Sequence, residues 1–368
     1  MALIDSDAAE ALLELARRKV DDGLLPAVQL ALARDGEVVL SESFGDATDD
    51  TIFHMYSAVK PTVALTVLEL AAEGLLSIDA PVADVLESFA ANGKEAITVS
   101  QVMLHVGGFP YAHLSRRAGS DRSARLAKYA AWATEWAPGS RFEYHPTTAH
   151  WVLADLITEV TGRHYDDVIT ERVLEPAGCS SWLAPSDDQL ADAADVVSVG
   201  SEPTPEELRA VGISGLPDLG VTHEHLERFN RPEVRAMGVP GAGGMARARD
   251  VALWYQAVLH NTGGFLRPEV RSEAMRVRMR LPDWTGVSVN RSRVFMMAGD
   301  DGRSRMRGHA AAASPEAFGH NGAKGQIAWA DPGSGLSFAY FTNGLNRNDV
   351  SGARRSMALS DRALDCAG

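Results

Sequence analysis

Ser57 and Lys60 form the single S-x-x-K in the chain, in the run Ser57-Ala58-Val59-Lys60. Only five lysines occur, at 19, 60, 94, 128 and 324, and no other has serine three residues before it. Residues three apart share one face of a helix, so Lys60 is within reach of the Ser57 hydroxyl. A serine hydroxyl becomes a nucleophile only when a base takes its proton. A lysine serves as that base when burial and nearby positive charge lower its pKa. Pro61 follows at once, and proline is tolerated only in a helix's first turn. The helix therefore starts close to Ser57, whose position at the N-terminal end favours developing negative charge. The plain alternative is a capping serine followed by a solvated lysine.

Two further residues stand out later in the chain. Tyr144 lies in PGSRFEYHPTTAHWVLADLITEVTG, ahead of a helical stretch, and His320 opens His320-Asn321-Gly322 in AFGHNGAKGQIAWADPGSGLSFAYFTNG. Taken singly, each has an ordinary structural explanation: a half-buried tyrosine, a histidine entering a strand and a glycine at a close approach.

The elements that must position these residues are legible from periodicity. Residues 6–21 carry helical spacing, as do 58–76, 124–136, 147–161, 164–174 and 247–260. The runs 27–33 and 38–44, joined by Arg34-Asp35-Gly36-Glu37, read as a hairpin. So do 326–332 and 335–344 around Pro332-Gly333-Ser334, and 349–365 reads as a closing helix. Residues 198–245 are rich in Pro and Gly and read as an irregular excursion. Strands at both ends with helices between them predict a discontinuous α/β (α+β type) domain, 1–56 plus 246–368, whose antiparallel sheet is flanked by the terminal helices. A mostly helical domain, 57–245, is inserted, with the ligand cleft between the two.

In order and spacing these segments resemble the serine β-lactamase superfamily, the penicillin-binding-protein-like serine hydrolases, and most closely its family VIII carboxylesterases and class C-like members. Weaker matches at Leu104–Gly108, Leu174–Gly178 and Pro240–Asp250 fill the chain. The resemblance implies a β-lactamase/transpeptidase-like fold, with Ser57 as nucleophile, Lys60 as its partner and Tyr144 as a second proton shuttle. It further implies an oxyanion hole from the backbone N–H groups of Ser57 and Ala323, and substrate binding by His320, Asn321 and Gly322. No metal or organic cofactor is implied.

Three departures bear on the reaction. Pro146 stands where amide-cleaving relatives carry a polar asparagine, a histidine leads the third motif in place of lysine, and no E-x-x-L-N segment occurs. The expected reaction is hydrolysis of small or medium carboxylic esters. Acyl transfer, peptide or amide hydrolysis, weak β-lactam cleavage, and a catalytically silent binding role are the alternatives.

The bulk composition sets outer bounds. The chain has 368 residues, 45% hydrophobic and 23% charged, with net charge −14. That charge excludes the basic face that nucleic acid requires and disfavours an anionic membrane surface. Cys179 and Cys366 are read as free thiols, with one long-range disulfide as the alternative. The N-terminal segment has early acidic residues in place of a basic, apolar export signal, so a cytoplasmic location is expected. The arginines of 267–280 and Arg291, Arg293, Arg303, Arg305 and Arg307 are read as solvated loops or as a selector for an anionic substrate. His105, His145 and His150 have no assignable place.

Overall fold

The computed structural model describes residues 4–112, 114–216 and 220–368. Its centre is a six-stranded antiparallel sheet built from both ends of the chain. The strands are β1 (Ala27–Arg34), β2 (Glu37–Gly45), β3 (Met296–Met297), β4 (Phe318–Gly319), β5 (Ile327–Asp331) and β6 (Leu336–Thr342). Their order is β2-β1-β6-β5-β4-β3.

The pleat of β1 shows how the sequence builds three layers. Val28, Leu30 and Leu32 point to one face, where they pack with Leu12 and Ala16 of α1 (Ser6–Asp21) and with Leu359 of the C-terminal helix Asp349–Asp365. Ala27, Ala31 and Ala33 point to the other, where Ala328, Ala330 and Ala339 join them. These small side chains let the helix Ala248–His260 lie close against the sheet. Gln29 interrupts the alanine face: its carbonyl oxygen accepts from Ala248 N at 2.7 Å and caps that helix.

The strands and most helices fall where periodicity placed them. The helix expected over 58–76 is the α-helix Lys60–Ala72, preceded by one 3₁₀ turn, Tyr56–Val59. Pro61 sits in its first turn and Gly74 follows its end at φ +77°. Residues 164–174 divide into an α-helical turn, Tyr165–Ile169, and a π-helical turn, Thr170–Leu174. The excursion carries short helices at Pro205–Ala210 and His223–Glu227. Cys179 and Cys366 are free and buried. Among the described residues no helix is long and apolar enough to cross a membrane.

Candidate active site

Ser57 lies on a turn held in an unusual backbone conformation. Tyr56, just before it, has φ +46°, a region costly for a residue with a bulky side chain. The ring is fixed in compensation: Tyr56 Oη donates to Leu226 O at 3.2 Å, and His54 and Phe229 pack against it at 5.9 and 5.5 Å. The helical excursion, which supplies Leu226 and Phe229, thus braces the turn that presents Ser57.

Lys60 is fully buried, and its Nζ has three neighbours: Ser57 Oγ at 3.1 Å, Pro146 O at 2.7 Å and Gly241 O at 2.5 Å. Burial, reinforced by the Arg291 charge, holds its pKa well below the usual lysine range. A neutral amine has two N–H donors and one lone pair. The two carbonyls accept only, so in that form they take both hydrogens and the lone pair turns to the Ser57 hydroxyl, whereas an ammonium donates to Ser57 Oγ as well. Pro146, which lacks a polar side chain, contributes through its backbone.

Tyr144 lies beside this pair, its ring centroid 5.2 Å from Lys60 Nζ. Burial pushes its phenol up to about 12, opposed by Arg291 and by the Ser57 hydroxyl. Its hydroxyl faces Ser57 closely enough to feel that group, yet completes no hydrogen bond within the described structure. Two histidines clamp its loop. His145 Nδ1 donates to Glu143 O at 2.6 Å and its Nε2 accepts from Phe109 N at 3.1 Å. His105 Nδ1 accepts from His145 N at 3.0 Å, and the His105 ring stacks on Tyr144 at 4.7 Å. His150 completes the group, buried and 5.8 Å from the His105 ring. Sequence reasoning noticed these histidines and had no means of placing them.

The third segment approaches from the sheet. His320 N donates to Tyr255 Oη of the helix Ala248–His260 at 3.1 Å, and the His320 ring lies 6.1 Å from Tyr144. Burial lowers its pKa well below the usual value, so the ring is neutral. A Cβ on Gly322 would sit 2.1 Å from Met55 O, so only glycine lets this segment reach the Ser57 turn. Ala323 packs against the Tyr56 cluster next to it. Asn321, expected at the substrate, has backbone partners for its side chain. Its amide donates to Gly308 O at 3.0 Å and accepts from Ala328 N at 3.0 Å, which ties the side chain into the fold rather than toward substrate.

Arg291 corrects an expectation. It is 2% exposed rather than solvated, with its Cζ 6.0 Å from the Tyr144 ring centroid. Arg307 is buried too, paired with Asp301. A surface depression of about 480 Å³ beside α1 holds none of these side chains.

Replacing Gly322 with alanine is expected to lower kcat/KM by about 100-fold, because the oxygen of Met55 forces the segment away from Ser57 and sub-ångström alignment is lost. Steady-state kinetics beside a thermal melt checks this. An unchanged rate would mean that the close approach is dispensable.

The burial of histidine sets a second expectation. His54, His105, His145, His150, His309 and His320 are all held below their usual pKa by burial, His145 and His309 at about 4 and His54 at about 3. The folded state excludes protons that the unfolded chain accepts below about pH 6.5, so acid favours unfolding. Each histidine withdraws up to about 1.4 kcal/mol per pH unit. The denaturant midpoint is expected to fall steeply between pH 6.5 and 5. Equal midpoints at pH 7.5 and 5.5 would refute it.

A serine, a buried lysine and a half-buried tyrosine converging beside an antiparallel sheet define a serine hydrolase of the β-lactamase fold. The chain belongs to the Beta-lactamase family, whose model matches residues 12–361. It is similar to Esterase EstB of Burkholderia gladioli, 29% identical over 67% of this chain and 68% of that protein. Among solved structures it resembles a penicillin-binding protein homologue from Caulobacter crescentus, with 27% identity and a TM-score of 0.78 over 99% and 98% of the two chains. A family VIII carboxylesterase matches in fold, with 24% identity and a TM-score of 0.78 over 99% of each chain.

Proposed function

We propose that the chain is a carboxylesterase that works through an acyl-Ser57 intermediate. The observation that carries the reading is the Lys60 amine, held between two carbonyls with its Nζ 3.1 Å from Ser57 Oγ.

In acylation the Ser57 hydroxyl proton passes to Lys60 Nζ as Oγ bonds to the ester carbonyl carbon. The carbonyl electron pair moves onto oxygen, where the backbone N–H groups of Ser57 and Ala323 receive it; one such donor is worth about 3 kcal/mol in the transition state. Collapse breaks the bond to the alcohol oxygen, which takes its proton from the Lys60/Tyr144 system. With the Tyr144 ring centroid 5.2 Å from Lys60 Nζ, the proton is assigned to the two residues together rather than to one of them. Water then attacks the acyl-enzyme by the same steps in reverse and releases the acid.

Two observations favour esters over amides. Pro146 carries no side-chain amide, and the Asn321 amide is engaged with Gly308 O and Ala328 N. The similarity to Esterase EstB points the same way, while the likeness to a penicillin-binding protein homologue keeps peptide substrates as the competing reading.

Parallel assays with p-nitrophenyl acetate and butyrate, a chromogenic cephalosporin and a D-alanyl-D-alanine peptide test the proposal. The expected result is turnover of the esters at least 100-fold faster than of either amide. Faster cleavage of the peptide or cephalosporin would overturn it. Formation of new esters on adding alcohols would turn it into an acyltransferase.

A further inference from the structure

Tyr144 is held in place by its surroundings and not by its own hydroxyl. The residue is half-buried, and its Oη completes no hydrogen bond among the described residues. A phenol that hands a proton to a leaving oxygen loses about 100-fold in rate when it is misplaced by about 1 Å. Its placement therefore has to come from contacts on the ring face and from the backbone on either side.

His145, next in the chain and fully buried, supplies the backbone part. Glu143 O only accepts, so His145 Nδ1 carries the ring proton and donates to it at 2.6 Å. Phe109 N only donates, so Nε2 accepts from it at 3.1 Å. One imidazole thus ties the residue before Tyr144 to the segment 105–109. Burial pushes the imidazole pKa down to about 4, which keeps Nε2 free to accept.

The segment 105–109 answers with His105. Its Nδ1 accepts from His145 N at 3.0 Å, and its carbonyl oxygen accepts from Glu143 N at 3.3 Å. Its ring lies on Tyr144 at 4.7 Å with 30° between the planes. The backbone on both sides of Tyr144, and the ring between them, rest on this one residue. His105 is itself held at φ +58°, a costly conformation that persists only where neighbouring bonds over-determine it. Thr148 Oγ1 donates to Phe109 O at 3.2 Å and closes the two segments from the other end.

We propose that His145, locked to His105, is a positioning residue that fixes Tyr144 as proton donor to the leaving alcohol, so that the site is built for esters of ordinary alkyl alcohols. The proposal rests on the esterase reading of the same site and adds the leaving group. An alkoxide is too basic to depart unprotonated, whereas p-nitrophenolate departs as the anion and needs no such donor. Attack by Ser57 is less exposed to the clamp, because Lys60 Nζ keeps Gly241 O and Ser57 Oγ as neighbours independently of the Tyr144 loop.

The test compares ethyl butyrate with p-nitrophenyl butyrate, which share the acyl group and differ in the leaving group alone. In His145→Leu, kcat/KM on ethyl butyrate is expected to fall by about 100-fold or more, and on p-nitrophenyl butyrate by less than about tenfold. His145→Gln places Oε1 where Nε2 accepts from Phe109 N, and is expected to recover part of the loss on ethyl butyrate. Equal losses on the two esters in His145→Leu would overturn the proposal and leave His145 with a structural role. So would a wild type that cleaves the p-nitrophenyl ester and not the ethyl ester.

Amide hydrogen exchange supplies a readout independent of ester cleavage. Peptides covering 105–109 and 143–148 are expected to exchange about tenfold faster in His145→Leu and to return toward the wild type in His145→Gln, with the helix Lys60–Ala72 unchanged. That pattern supports the clamp even if neither ester turns over, in which case the esterase reading alone fails. Unchanged exchange in both peptides of His145→Leu would overturn the proposal.

Discussion

Replacing Ser57 with alanine is expected to lower kcat by about 10⁵-fold or more. The magnitude follows from what the side chain does: without Oγ there is no atom to carry the acyl group, and only binding and the backbone N–H groups remain. Members of such a unit act together, so their losses do not add. The fold is expected to survive, because Ser57 is only half-buried and its hydroxyl contacts Lys60 Nζ rather than the core. Steady-state kinetics on p-nitrophenyl butyrate with a melt of both proteins checks this. A mutant within tenfold of the wild type would place the nucleophile elsewhere.

The second large effect is expected at Lys60. Methionine fills a similar volume without the amine, and kcat/KM is expected to fall by about 10³-fold or more. Lys60→Arg is expected to fail as well, since a guanidinium stays protonated and offers no lone pair to Ser57. Stability is governed by opposing changes. Removing Nζ leaves Pro146 O and Gly241 O unpaired at about 1–3 kcal/mol each, while the cost of burying the amine disappears. A large fall in rate with a modest shift in melting temperature is therefore the signature. A pH–rate profile of the wild type adds the sign: activity rises with pH as Lys60 loses its proton, and a profile that falls instead would assign the base wrongly.

What could be read from the sequence was set by which interactions are local. Ser57 and Lys60 sit three residues apart and Pro61 fixes the helix start, so their relation follows from helix geometry alone. The strands were legible as apolar runs joined by turn sequences, while which face of β1 meets which helix was not, since both faces are apolar and buried. Tyr144 and His320 were found through order and resemblance, because nothing local to either residue separates a site tyrosine or histidine from a core one.

The rest depended on approaches between distant segments. Pro146 and Gly241 act through carbonyl oxygens, which every residue carries and no motif marks. His105 and His145 clamp the Tyr144 loop across 40 residues of chain, with ring nitrogens whose partners are backbone groups. Asn321 sits inside the motif, yet its side chain serves the strand. Arg291 lies in a polar, arginine-rich stretch, which ordinarily denotes solvent; only the kink at Asn290 and the turn at Ser292 carry it inward.

The identity of the acylated atom is the most direct test of the whole account. Wild-type protein is mixed with p-nitrophenyl butyrate, quenched in acid within the first turnovers, digested, and mapped by mass spectrometry. One butyryl group per chain is expected, on the peptide that contains Ser57, and absent from Ser57→Ala. A butyryl group on any other residue, or turnover with no acylated peptide, would contradict it.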